Sequence, residues 1–206
     1  MVGAAQHISP SSTPDAMAAM RQATAGQHAR IESLLGLGGA FGRGHYGCVL
    51  QGFGAFLHAW ERMVAPLLPP GLDGWFARGR RAYLVDRDLA ALGLARLDPD
   101  SAVVPRLQGC ADAIGSLYVL EGSALGGQLI AANIERRLGI HADNGGAYFN
   151  GCGKGTAARW RQYQGLAQFH LDAHPHAREA AGDAAVRTFE ALIATFEPLL
   201  HERAAA

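Results

Sequence analysis

Cysteine is scarce in this chain, and none of it is paired. Cys48, Cys110 and Cys152 stand far apart, are odd in number and form no CxxC pair. This excludes a disulfide framework and a zinc cluster, and reads as three small buried hydrophobes in a reducing cytoplasm. An excess of one charge is lacking too: 18 basic residues cancel 18 acidic ones. With no basic stripe and no reading motif, nucleic acid is not an expected partner. No apolar run is long enough for a membrane span. Residues 1–14, MVGAAQHISPSSTP, have neither the basic nor the apolar region of a signal peptide, and read as a flexible arm ahead of a single domain over 15–203. Period-two alternation of β-branched residues is missing throughout, so strands are not expected.

What is present is helical periodicity. A first helix is expected from Thr13 as cap and Pro14 at the first helical position to about Leu35, where GLGGAFGRG breaks it. Tyr46, Val49, Leu50, Phe53, Leu57, Trp60, Val64 and Leu67 mark a second helix, stopped by PLLPPG. Short segments follow around Gly74–Gly79 and Asp86–Leu94. A long helix is expected from near Pro105 to about Leu138, then a glycine-rich loop, then helices at Thr156–Ala173 and Ala177–Arg203, with Pro198 as a candidate kink. The reading is one all-α domain of six to eight helices.

Two glycine-rich stretches imitate phosphate loops and fail. GLGGAFG follows a helix rather than a strand, with its third glycine one place late. In NGCGKGT, Tyr148 and Gly155 occupy the positions where a phosphate loop needs glycine and a hydroxyl. His170, His174 and His176 cluster at a helix end, but no glutamate follows His170 as the metalloprotease motif requires; the end of a helix dipole suits them equally. His7, His45, His58, His141 and His201 read as surface or capping residues.

The unusual stretch is GSLYVLEGSALGGQLI, Gly115–Ile130: four glycines inside a long helix, each costing roughly 0.5–1 kcal/mol against alanine. At about 100° per residue, Gly115, Gly122 and Gly126 share one strip. A strip without Cβ atoms either packs a neighbouring helix closely or lets a flat ligand approach the backbone. It also weakens the helix, so a kink or mobile segment is expected near Gly122–Gly127. On the first helix, His28 shares a face with Met17, Arg21, Thr24, Ile31 and Leu35. A lone histidine there is either a satisfied core residue or a ligand. With Arg21 two turns before it, roughly 10 Å along the axis, the pair suits a large planar anionic cofactor with a central metal and carboxylates at one edge. Haem fits that description.

Two segments together resemble a known family. ATAGQHARIE, carrying His28 and Glu32, resembles the proximal helix of haem oxygenases; LYVLEGSALGGQLI resembles their glycine-rich distal helix, especially in the bacterial branch that supplies biliverdin to bacteriophytochromes. YFNGCGKGTAARWRQY is similar to that branch as well. The resemblance implies a haem slot between an N-terminal proximal helix and a kinked distal helix. It implies His28 as iron ligand, Gly122 and Gly126 as the distal glycines over the haem, and Arg21 as a basic position near the propionates, with Arg159 and Arg161 in a segment giving further propionate contacts. Animal members carry an aspartate where this chain has Ser123, which leaves open whether Ser123 takes part in proton delivery. Another bacterial branch has lysine at the place of Asn133, which leaves regiochemistry open. The implied activity is oxygenase cleavage of haem to biliverdin, carbon monoxide and ferrous iron. It uses O2 and an external electron donor (a reductase, a ferredoxin or a small reductant), with a bacteriophytochrome as a partner for the product. The competing readings are a haem carrier or sensor that never turns over, and a helical scaffold without haem.

Overall fold

The computed structural model describes residues 15–204, with side chains through His201, and among them every regular element is helical. The Thr13–Pro14 start and the expected arm at 1–14 lie outside the described residues. Helix α1 spans Ala16–Leu35; its cap is Asp15, whose carboxylate accepts the Met17 N–H at 3.0 Å. It ends at Gly36 in the left-handed conformation (φ 61°), where glycine carries no Cβ penalty. Helix α2, Arg43–Val64, runs on into a 3-10 turn at Ala65–Leu67. The short α3, Leu72–Ala77, and α4, Ala82–Ala91, follow. Helix α4 starts four residues before the acidic stretch that sequence offered as its beginning. Its first N–H groups are capped from afar: the Glu61 carboxylate of α2 accepts the N–H of Arg81 at 2.7 Å and of Ala82 at 3.0 Å.

Helix α5 covers Cys110–Leu138. It begins later than Pro105, at Gly109 in an extended conformation (φ −174°, ψ −172°), where the Asp112 carboxylate of the first turn accepts the Gln108 N–H at 3.0 Å. Its helical hydrogen bonding is continuous through Gly122–Gly127. The Leu120 carbonyl nevertheless receives two side-chain donors, the Ser123 hydroxyl and the Arg81 guanidinium. The glycine-rich loop contains a short helix, α6, Ala147–Asn150, fastened by buried Asp88, which accepts the N–H groups of Ala147 at 2.8 Å and Tyr148 at 2.7 Å. Helices α7, Thr156–Ala173, and α8, Ala177–Ala204, complete the chain, α8 passing through Pro198.

Helix α8 organises the whole. Both α1 and α5 make their most extensive contacts with it, rather than with each other. Phe189, Leu192, Ile193 and Phe196 form its seam, continuous with Val49, Leu50, Phe53, Phe56, Leu57 and Trp60 of α2. The cysteine reading fails: Cys110 and Cys152 are exposed and Cys48 is half-buried, because two of them lie at a helix start and in a loop rather than on an apolar face. No described helix is long and apolar enough to cross a membrane.

Candidate functional site

Two ties hold α1 beside α5, one near each end. At the first, the Tyr118 hydroxyl lies against Arg21 and Thr24. At the second, the buried Asn133 amide donates to the carbonyls of Leu37 (2.7 Å) and Gly39 (3.2 Å), while its oxygen accepts from Arg136 and Arg137. The partners at the second tie are 96 and 94 residues apart in sequence, nearly the offset at the first. The two helices therefore run parallel and in register. At that offset His28 stands opposite the Gly122–Gly126 segment.

Between the ties the helices part, because each packs on α8 rather than on the other. The resulting cavity measures about 760 Å³, within the range of about 300–1,000 Å³ usual for small-molecule sites. One wall is His28, Ile31 and Leu35; the facing wall is Leu120, Gly122, Ser123 and Gly126; the floor is Phe53, Tyr148, Phe149, Phe189 and Leu192. The slot is apolar in its floor and open at its mouth, where Leu129 is 79% exposed.

The glycines divide by role. A Cβ on Gly115 would lie 1.8 Å from the Ala181 carbonyl oxygen of α8, so Gly115 serves helix packing. One on Gly127 would lie 3.0 Å from the Phe149 carbonyl oxygen, and one on Gly122 would meet Trp160 at an ordinary 3.5 Å. Only at Gly126, among these four, would a Cβ meet nothing within 4 Å. The single strip read from the sequence is thus a packing contact at its first member and bare cavity wall at its last.

His28 is not a satisfied core residue. Its side chain is 49% exposed, its Nδ1 lies 3.5 Å from a Glu32 carboxylate oxygen, and its ring meets Phe189 edge-on at 5.7 Å. Among the described residues its Nε2 makes no hydrogen bond, the condition a metal-ligating imidazole needs once the other nitrogen is oriented. Ser123 spends its O–H on the Leu120 carbonyl at 2.8 Å. Arg21, exposed on α1, stands at the Tyr118 tie rather than on the cavity wall. Burial raises the Tyr118 phenol's pKa, and Arg21 opposes that shift. Arg161 is exposed and away from the cavity. Arg159 points elsewhere: it is paired with Glu121 and lies 3.8 Å over the Trp75 ring.

Sequence reasoning passed over Arg81. This buried arginine borders the cavity, donates to the Leu120 carbonyl and approaches Glu121 at 3.9 Å. Burial works against its charge, but Glu121, Tyr148, Glu61 and Cys152 together outweigh that, and the guanidinium stays protonated. The neighbouring Tyr148 phenol is pushed up to about 12 by burial, against the pull of Arg81. In ARGRRAY nothing distinguishes Arg81 from Arg78 and Arg80. Arg136 and Tyr118 were legible only as polar residues on a helix, and Asn133 only as the place where another bacterial branch has lysine.

The chain matches no protein-family model. It is similar to a curated protein named heme oxygenase from Xanthomonas campestris pv. campestris (strain 8004), 32% identical over 169 residues, which span 78% of this chain and 94% of that one. Its fold is similar to the NO- and CO-bound heme oxygenase from Neisseria meningitidis. The TM-score is 0.70 at 18% identity, over 91% of this chain and 92% of that one. With an all-helical fold shared end to end and nearly a third of the residues of a full-length relative, this chain belongs to the heme oxygenase family.

Proposed function

We propose that the protein binds haem in the slot between α1 and α5 and cleaves it, with O2 and external electrons, to biliverdin, carbon monoxide and ferrous iron. The observation that carries this reading is the confrontation of His28, its Nε2 free, with the Gly122–Gly126 backbone across one cavity. The donor set fits the group: neutral imidazole is a common axial ligand of haem, and the floor of aromatic and aliphatic side chains suits a porphyrin face. Bound haem supplies both the iron that activates oxygen and the macrocycle that is consumed.

The protein's share is positioning. His28 would hold the iron, with Glu32 orienting the ring through Nδ1. The bare backbone at Gly126 would leave that wall of the slot without a side chain against the ligand. Arg21, which stands beside Tyr118 outside the lining of the slot, would turn its guanidinium to the propionates. The mouth stays open to an external electron donor, whether reductase, ferredoxin or small reductant, and the bilin product is suited to supply a bacteriophytochrome in the cytoplasm.

Titration of the protein with ferric haem, then reductant in air, tests this: a Soret band followed by a green pigment is the expected result, and its chromatogram reports the isomer. His28→Ala should lose the normal Soret band and turnover; a variant indistinguishable from wild type removes the assignment. The second reading, a carrier or sensor, draws on Ser123, whose hydroxyl is committed to the Leu120 carbonyl instead of the cavity. A stable haem complex that never turns green would favour it.

A further inference from the structure

Four charged side chains meet behind the slot. Glu61, Arg81 and Glu121 are 6%, 8% and 4% exposed, and the Arg159 side chain 15%. Burying charges is costly even when they are paired, and of these four only Arg81 borders the cavity. Glu61 is occupied by the backbone N–H groups that open α4. Glu121 stands between the two guanidiniums. It accepts Arg159 Nε at 3.0 Å and Nη2 at 3.3 Å, and lies 3.9 Å from Arg81 Nη2. Trp75 lies against Arg159 and the Tyr148 ring is 5.9 Å from Arg81. Glu121 also immediately precedes Gly122, so the same residue that gathers these charges anchors the start of the glycine segment.

We propose that Glu121 is a positioning residue which, through Arg81, sets the place and the electric field of the inner polar wall of the slot. Arg159 takes the two-point hold on the carboxylate. Arg81 keeps the longer contact, and its guanidinium is thereby directed to the Leu120 carbonyl, at the edge of the cavity. The inference rests on the haem-binding reading and extends it to a residue that does not touch the ligand. Its electrostatic content is a pair of opposite signs. Replacing Glu121 by a neutral amide leaves two guanidiniums uncompensated and makes the field in the slot more positive. Replacing Arg159 by a neutral amide leaves Glu121 uncompensated toward Arg81 and makes it less positive. In a low-dielectric interior such single-charge changes are felt across several ångströms.

Carbon monoxide on the ferrous haem complex of the full chain is the probe, since its C–O stretching frequency falls as the surrounding field becomes more positive. Glu121→Gln should lower the frequency and Arg159→Gln should raise it. Shifts of the same sign, or none in either variant, overturn the proposal, because a merely structural role would disturb both alike. Should Glu121→Gln fail to fold by circular dichroism, Arg81→Gln takes its place: it must raise the frequency more than Arg159→Gln does, and an equal or smaller rise is fatal. Failure of the underlying reading is separately visible as a wild-type chain that takes up no haem at all, an outcome that ends both.

Discussion

At the scale of single residues, the site turns on what one glycine has in front of it. Gly126 faces open cavity, while Gly115, on the same strip of the same helix, faces a backbone carbonyl of α8. Helix propensity treats the two alike; their surroundings do not. In the ligand-free protein Gly126→Ala meets no atom and replaces a poor helix former by the best one. It should therefore stabilise the chain by about 0.5–1 kcal/mol. The added methyl group should at the same time intrude on the bound ligand. The expected outcome is a raised Tm together with weaker haem uptake, read by melting and by Soret titration. Unchanged uptake would place the glycine outside the binding surface. His28 was legible in the sequence as a candidate because its helix face is otherwise apolar. That its Nε2 is left without a partner was not legible, since hydrogen bonding of a surface-half imidazole depends on neighbours far away in sequence.

Among the elements, the decisive relation is that α1 and α5 lean on α8 and not on each other. Small residues make this possible: Ala181, Ala184 and Ala185 of α8 are fully buried, and Gly115 lets the α5 backbone touch α8 directly. A methyl group at 115 has no room, so Gly115→Ala should overpack the α5–α8 contact at a cost of about 1–3 kcal/mol. For a chain of this length that lowers Tm by roughly 2–4 °C per kcal/mol. A melt unchanged from wild type would mean that α5 and α8 can slide apart freely. The helical periods announced most of these elements, and α7 begins and ends where sequence put it. The start of α4 was missed for a definite reason. Its first N–H groups are held by a distant partner, the Glu61 carboxylate of α2, and no local pattern reports that.

For the whole molecule, the slot is an interior surface kept open at some cost, with an aromatic and aliphatic floor. A ligand that fills it binds the folded chain alone and must stabilise it by mass action. At a free haem concentration one hundred times Kd the gain is about 2.7 kcal/mol, corresponding to a Tm increase of roughly 5–10 °C for this size of chain. Melting curves with and without haem measure it. An unmoved Tm at saturating haem would mean that haem does not bind the folded chain in preference to the unfolded one. Two of the residues expected near the propionates stand away from the slot in the ligand-free protein. Arg159 is drawn behind the wall by Glu121 and Trp75, and Arg161, two residues on, points to solvent.

The amino-acid order by itself determined that the chain is helical, where most helices run, that the glycines and His28 were the residues needing explanation, and which family they resemble. These are local properties, carried by period, cap and composition. The tertiary structure decided the rest: which glycine is packing and which is cavity wall, which arginines border the slot, and that His28 stands level with Gly122–Gly126. Those outcomes depend on how two helices are tied by Tyr118 and Asn133 and held apart by a third. Contacts between residues nearly a hundred positions apart leave no periodic trace in the chain that makes them.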